Sequence, residues 1–438
     1  MSAHWRAIVR WLTPGMRVKR WVLLSVLSMG FLVVALLYGL GIDIVRAVYR
    51  TFPPEGPARY AILIGFLVLG AGGFTVSLSR LVRSIARGVS SDPRIKTSTM
   101  IYRRRRLARG PHVVALGGGT GLSTLLRGLK EETSNITAVV TVMDDGGSSG
   151  RLRSEIDVLP PGDVRNCILA LAEDETELSD FFQHRFAAPE QLAGHSLGNL
   201  VLAGLEQASG GFDRAIEAMS HFLNIRGQVL PATLAKTNLV ATMEDGAHVE
   251  GESELSSDPR RIVRLALSSG RVPAYESALD AIHQADLIVL GPGSLFTSLV
   301  PNLLVDGIAS AIEASAAEKI IVANLMTQPG ETTGLSHRDH LRILNEYVKL
   351  IRFDALFVNA AAADAALLAG YTDEEAEPVL DDLADPNEYG LRIVRADLVG
   401  TAPWAGKQTI KHDPWKLSRA LVKETRAFRT LRPERDAG

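Results

Sequence analysis

With 438 residues, 46% of them apolar and 22% charged, the chain has room for two or three domains of roughly 150 residues and the composition of a globular protein. A formal net charge of −2 argues against a nucleic-acid-binding role for the chain as a whole, so no nucleic acid is expected as a partner. The one cysteine, Cys167, excludes an intrachain disulfide framework and fits a reducing compartment.

The first hundred residues differ from the rest. Two uncharged stretches, 21–42 and 60–79, are each long enough to cross a hydrocarbon core of about 30 Å. A cleavable signal peptide fits poorly, because its apolar region would be shorter and no second span should follow so closely. Arg6, Arg10, Arg17, Lys19 and Arg20 precede the first stretch; Arg80, Arg83, Arg87, Arg94, Lys96, the arginine run 103–106 and Arg109 follow the second. The loop between them holds only Arg46, Arg50 and Arg59, partly offset by Asp43 and Glu55. The positive-inside rule therefore predicts an inner-membrane protein with two spans, both termini and the large domain lying in the cytoplasm. A transmembrane hairpin over 1–82 and a basic juxtamembrane linker over 83–110 follow, the linker meeting anionic lipid headgroups. Two helices buried in a soluble core is the competing reading.

From His112 onward, short apolar runs alternate with helical patterns. Strands are predicted at His112–Leu116, Thr137–Met143, Asp286–Leu290, Lys319–Ala323 and Asp354–Val358, nearly continuous in apolar residues as strands covered on both faces should be. With amphipathic segments between them, such as Ser123–Glu131 and Ala274–His283, this order predicts an α/β fold: a Rossmann-like three-layer domain with a mostly parallel sheet. The stretch from about 155 to 269 reads as a helical insertion or lid, with a hairpin turning through Glu244-Asp245-Gly246. The charged tail beyond Lys416, with 421–438 at its end, reads as an amphipathic helix packing on the sheet or on another subunit of a homo-oligomer.

All five strands finish in glycines or small polar residues, and open α/β sheets bind ligands outside the carboxyl ends of their strands. Gly117-Gly118-Gly119-Thr120-Gly121 has the physics of an anion cradle, since glycines allow close approach and a following helix aims free N–H groups at the ligand. It fits neither GxGxxG nor a Walker A loop, and a merely tight turn is the alternative. Gly291-Pro292-Gly293-Ser294 offers a second such loop, and Asn324 ends the next strand. Asp144 and Asp145, before Gly146, can hold Mg²⁺ or accept hydrogen bonds from sugar or base, or serve as turn residues. Arg151 and Arg153 could offset their charge or reach a phosphate. Asp163 caps a helix entry, while Arg165 and Asn166 beside it suit a ligand. Gly194-His195-Ser196-Leu197-Gly198 matches the GxSxG elbow of serine hydrolases but lacks a preceding buried strand. His195, Ser196 and Asn199 are instead expected to open a helix and face the ligand. His221 and His340 are read as structural.

Six blocks occur together and in order: GGGTGLSTLLRGLK (117–130), TVMDDGGSSGRLR (141–153), LPPGDVRNCILALA (159–172), HSLGNL (195–200), ADLIVLGPGSLFTSLVPNLLV (285–305) and NLMTQPGET (324–332). They resemble the YvcK-type gluconeogenesis factors, related to 2-phospho-L-lactate transferase (CofD-like), over roughly residues 111–420. The resemblance implies a bacterial nucleotide-binding protein that takes UDP-sugars, notably UDP-N-acetylglucosamine, and supports growth on gluconeogenic carbon, cell-wall synthesis and regulation of cell shape. It also implies cell-wall regulatory proteins as partners. It makes the Gly117–Gly121 loop, Asp144, Asn199 and the Gly291–Ser294 loop ligand contacts, with Tyr371 and the Lys411-His412-Asp413 segment in the sugar-nucleotide region. Whether the protein is catalytic stays open: the related transferases use Mg²⁺, and Asp144 and Asp145 are then the candidates for metal and catalysis. The membrane hairpin departs from the soluble pattern common in the family.

Overall fold

The computed structural model describes residues 19–40, 57–87, 105–173, 175–189, 191–362, 367–368, 376–384, 387–404 and 407–429. The chain divides into two compact units, Met1–Arg103 and Arg104–Gly438.

In the first unit, α1 (Lys19–Leu40) and α2 (Pro57–Arg87) pair as a helical hairpin. Small residues set their approach: a Cβ at Gly70 would stand 2.8 Å from the Leu32 side chain, and one at Gly73 would stand 2.5 Å from Ser28 Oγ. Ser25 and Ser77 share a 2.8 Å hydrogen bond across the seam, and Phe31 stacks on Phe66. Side chains such as Leu23, Leu36 and Val68 stay exposed on the outer faces. The expectation of two membrane spans is overturned, because no helix among the described residues is long and apolar enough to cross a membrane. Within α2 the apolar run gives way to Gly70, Gly72, Gly73, Thr75, Ser77 and Ser79 before Arg80, Arg83 and Arg87. The inner-membrane location with two spans falls with it. Most of the linker 83–110, including the start of its arginine run, lies outside the described residues.

The second unit is built on β1 (Val113–Gly117), whose five residues are all buried. Val113 and Ala115 face one layer with Leu122 and Leu126, while Val114 and Leu116 face the other with Leu295 and Leu299. This two-sided burial is why the run is apolar throughout instead of alternating. After β1, α3 (Gly119–Leu129) places Leu122, Leu125, Leu126 and Leu129 on one fully buried stripe. Each such side chain contributes about 1.5–3 kcal/mol of transfer free energy. Then come β2 (Ile136–Val140), α4 (Gly147–Ile156), α5 (Gly162–Leu171), α6 (Glu175–Gln183), α7 (Leu197–Ser209), α8 (Phe212–Phe222) and β3 (Gln228–Pro231). An antiparallel excursion follows, of β4 (Leu239–Met243), β5 (His248–Glu250), α9 (Glu252–Ser257) and β6 (Ile262–Leu267), and α10 (Glu276–Gln284) leads back to the main sheet. The rest is β7 (Leu287–Leu290), a π-turn (Leu295–Leu299), α11 (Val300–Leu304), α12 (Ile308–Ala314), β8 (Glu318–Val322), α13 (His337–Leu344), β9 (Ala355–Asn359), β10 (Arg392–Ala396), the hairpin β11 (Val399–Trp404) and β12 (Lys407–His412), and α14 (Pro414–Glu424).

The main sheet has seven strands in the order β10-β9-β8-β7-β1-β2-β3, parallel throughout. The five expected strands are all present. Strand β3 lies inside the stretch read as an insertion, so α4–α8 form the crossover from β2 to β3, and the true excursion is β4–β6 with α9. The hairpin at Gly246 is as expected, with φ +82 at that glycine. In the tail, α14 packs on α3 where Gly128 lets the Pro414 carbonyl approach. Residues beyond 429 lie outside the described set.

Helix α13 carries a capping box. Ser336 Oγ accepts from the Asp339 amide, the Asp339 carboxylate accepts from the Ser336 amide, and Ser336 Oγ donates to Asp382 at 2.9 Å. Ser336→Ala should therefore lower stability by about 1 kcal/mol, read as a reduced denaturation midpoint with an unchanged slope.

Candidate functional site

Strand order locates the site. Chain direction across the sheet reverses between β1 and β7, so the loops leaving these neighbours diverge and open a crevice, the place where doubly wound sheets hold ligands. Both loops are glycine-rich, and they touch. A Cβ at Gly121 would stand 2.5 Å from the Pro292 carbonyl oxygen and 3.1 Å from Gly293 Cα. Gly118 lies equally close to Asp163 Oδ2, at 2.6 Å from an added Cβ, and Gly119 and Gly291 take φ of +59 and +86. Gly118 caps α3 without a side-chain bond, and the first intrahelical bond is Leu122 N–H to the Gly118 carbonyl. The amides of the first turn thus precede the helical ladder, which is the arrangement that favours an anion.

Gly118–Gly121 and Pro292–Ser294 line one cavity of about 210 Å³, together with Ser298, Asn324, Gln328, Lys411 and His412. Gln328 Nε2 donates to Ser294 Oγ at 2.7 Å, tying the loop after β8 to the loop after β7. Asn302 Nδ2 holds the Gly117 and Ser298 carbonyls at 3.1 and 2.7 Å, fixing the end of β1 against the π-turn. A larger cavity of about 450 Å³ lies between α8 and the edge strand β3. It contains neither glycine loop and no strand-end group from the switch point, so the smaller crevice is the candidate site.

A polar cluster adjoins this cavity, and Asp163 links the two, accepting the Gly119 amide while facing Asp144. Burial and then Asp144 push the Asp163 carboxyl up to about 6, and burial likewise raises Asp144. Asp144 Oδ1 accepts from Gly146 N at 2.9 Å, whereas Asp145 Oδ1 turns to the Ser253 amide at 2.8 Å, in the first turn of α9. Two acids that the sequence reading did not single out complete the cluster. Glu252, brought in by the excursion, is raised well above its ordinary value by burial and then by Asp144 and Asp163. Burial pushes Glu331 up to about 7, although Thr297 Oγ1 donates to it at 3.3 Å. Glu331 stands in the strand-end segment 324–332, where a signal existed; Glu252 has no local motif.

Arg165 supplies opposite charge. Its Nη1 donates to Ser196 Oγ and to Asn199 Oδ1, the latter at 2.5 Å, and Nη2 donates to Asn166 Oδ1 at 2.7 Å. Burial is the main cause that draws its pKa down to about 10. Asn199 Nδ2 donates to Ser148 Oγ, which also bonds His195 Nδ1 at 2.9 Å. Ser196 is the N-cap of α7 and is preceded only by an isolated bridge to Arg185, so the GxSxG sequence does not form a nucleophile elbow. The hydrolase alternative loses its geometry.

The structure therefore gathers Gly118–Gly121, Gly293, Ser294, Asn324 and Lys411 around the cavity. It gathers Asp144, Asp163, Arg165, Asn166, Ser196 and Asn199 in the neighbouring network, with His195 joined through Ser148. Gly117 and Gly291 form the strand ends behind the loops; Gly146 supports Asp144, and Asp145 faces α9. Tyr371 lies outside the described residues. Buried side-chain atoms left without a partner include Thr141 Oγ1, Arg153 Nη1, Arg165 Nε, Asn302 Oδ1, Glu331 Oε2 and His412 Nε2. Such orphans are rare in folded proteins and ask for a reason.

Fold and crevice define a doubly wound, Rossmann-like α/β protein with a glycine-loop crevice at its switch point. The family model described as 2-phospho-L-lactate transferase CofD matches residues 113–399. A gluconeogenesis factor of Bacillus subtilis is 43% identical over 316 residues, 72% of this chain and 98% of its own. A gluconeogenesis factor of Halalkalibacterium halodurans is 49% identical over 71% of this chain and 95% of its own. A relative from Nostoc sp. is 43% identical over 94% of this chain and 92% of its own, so its likeness extends into the N-terminal unit. A crystal structure of a Bacillus halodurans protein superposes with a TM-score of 0.68 at 45% identity, covering 72% of this chain and 99% of that one. The chain belongs to the CofD family, in its YvcK-type gluconeogenesis-factor group.

Proposed function

We propose that the protein binds a nucleoside-diphosphate sugar, of the UDP-N-acetylglucosamine kind, across the crevice and acts as a ligand-responsive regulator linking carbon metabolism to cell-wall synthesis and cell shape. The observation that carries the ligand class is the backbone contact between the two glycine loops beside Lys411. First-turn amides suit a diphosphate, and the cavity of about 210 Å³ is small for a whole nucleotide sugar, so the ligand extends toward the polar cluster. The printed name gluconeogenesis factor on the Bacillus subtilis relative supports the metabolic role.

The donor set fits Mg²⁺ shared with ligand phosphates. Among the described residues no group of three or more His, Cys, Asp or Glu side chains could hold a metal ion by themselves. Mg²⁺, however, commonly takes one or two carboxylates and completes its shell with phosphates and water. Asp144 and Asp163 would hold it, in place of the Asp144–Asp145 pair, since Asp145 is engaged by the Ser253 amide. The ion would neutralise phosphate charge there.

The family description also supports a second reading, a transferase of the 2-phospho-L-lactate type, in which the same carboxylates orient an acceptor. Calorimetric titration of the full chain with UDP-N-acetylglucosamine, with and without Mg²⁺, separates the two when products are analysed in parallel. Saturable binding without turnover is the expected result. Metal-dependent product formation would favour the transferase, and no binding under either condition would reject the ligand assignment.

A further inference from the structure

His412 stands at the end of β12, against the cavity formed by the two glycine loops. It is nine-tenths buried, and its Nε2 has no hydrogen-bond partner. Burial draws its pKa down to about 4, and the Ala323 carbonyl beside the ring opposes that shift only in part. The imidazole is therefore neutral at ordinary pH. A neutral imidazole has one N–H and one lone pair, and a carbonyl can receive only the N–H. The ring keeps an acceptor lone pair that the protein leaves unmatched.

His340 provides the contrast. It too has an orphaned Nε2, while its Nδ1 lies 2.8 Å from the Ser336 carbonyl. The cavity beside it is about 20 Å³ and is lined mainly by aliphatic side chains such as Leu295, Leu299 and Leu341. That space holds about one water molecule, which accounts for the orphan without a ligand. The cavity at His412 is about tenfold larger, about 210 Å³, and polar groups converge on it.

We infer that His412 is a specificity-determining residue: its ring accepts a hydrogen bond from an O–H or N–H group on the nucleoside or sugar part of the bound ligand. This inference rests on the nucleotide-sugar reading above. Phosphate oxygens carry no proton to give at neutral pH, so they cannot be the group His412 reads; the loop amides and Lys411 have the donors that phosphates need. A site whose buried acceptor must be met rejects ligands that lack the matching donor, because the acceptor is otherwise left unpaired.

The test is calorimetric titration of the full-length protein, His412→Phe and His412→Gln with UDP-N-acetylglucosamine and with UDP. His412→Phe removes the acceptor and should weaken UDP-N-acetylglucosamine binding by about tenfold or more. His412→Gln keeps an acceptor at similar reach and should stay within about threefold of the parent. Thermal unfolding of the ligand-free Phe variant should not fall below the parent, since an unmatched polar group has been replaced by an apolar one. An equal penalty with UDP places the donor on the uridine; a penalty confined to the sugar nucleotide places it on the sugar. Phe and parent binding alike, or Phe and Gln equally impaired, would overturn the assignment. Failure of the parent protein itself to bind either ligand would instead reject the nucleotide-sugar reading and remove the basis for the inference.

Discussion

Gly121→Ala is expected to lose most ligand affinity, by about 30-fold or more, while lowering stability by about 1–3 kcal/mol. The reason is local and rigid. An added methyl at Gly121 would stand 2.5 Å from the Pro292 carbonyl oxygen and 2.9 Å from its carbon, and neither belongs to a flexible side chain. The loops must part by several tenths of an ångström, in a segment pinned by Asn302 on Gly117 and by Gln328 on Ser294. Amides that met the ligand from both loops then cannot meet it together, and displacements of this size matter strongly for preorganised contacts. Calorimetry and denaturant melts on the same preparation read both effects. Retained affinity in a folded variant would mean that the loops do not grip the ligand jointly.

The second large effect concerns pH. The folded-state pKa of Asp163 is raised to about 6 from an ordinary 3.8, and that of Glu331 to about 7 from 4.5, burial being the first cause for both. The folded protein therefore binds protons that the unfolded chain has released. The stabilisation is fully present below the unfolded values near 4, and it is lost as pH rises through about 6 and 7. The ligand-free protein should lose stability between pH 4 and pH 8. Asp163→Asn, which stays neutral, should recover on the order of 2–3 kcal/mol at pH 8 and flatten part of the profile. Mg²⁺ added with a nucleoside diphosphate should stabilise the parent at pH 8 more than it does the variant. Denaturation midpoints measured across this range provide the check, and a parent profile that rises from pH 4 to pH 8 would contradict the assignment.

Legibility in the sequence followed burial. The runs that became β1, β2, β7, β8 and β9 are apolar because the sheet covers them on both faces, and pattern alone found them. Strands β3 and β10 escaped notice because they lie at the edges, where Gln228, Arg392 and Arg395 face outward and break the apolar run. Missing β3 turned a crossover into an apparent insertion. The glycine loops were readable because close backbone approach excludes side chains, which leaves a mark in the sequence at Gly118 and Gly121. Glu252 was not readable, since it reaches Asp144 only through the fold of an antiparallel excursion. Asp145 shows the limit of adjacency: neighbouring carboxylates need not share a task, and this one serves the first turn of α9. The two apolar stretches near the N terminus have the length and flanking arginines of membrane spans, yet they correspond to helices joined through glycines and serines.

A crystal structure of the protein with UDP-N-acetylglucosamine and Mg²⁺ tests the central claim most directly. The diphosphate should lie within hydrogen-bonding reach of first-turn amides of α3 and of the Gly293–Ser294 backbone, with the metal between it and Asp144 and Asp163. A diphosphate seated elsewhere, for example in the larger cavity between α8 and β3, would contradict the account.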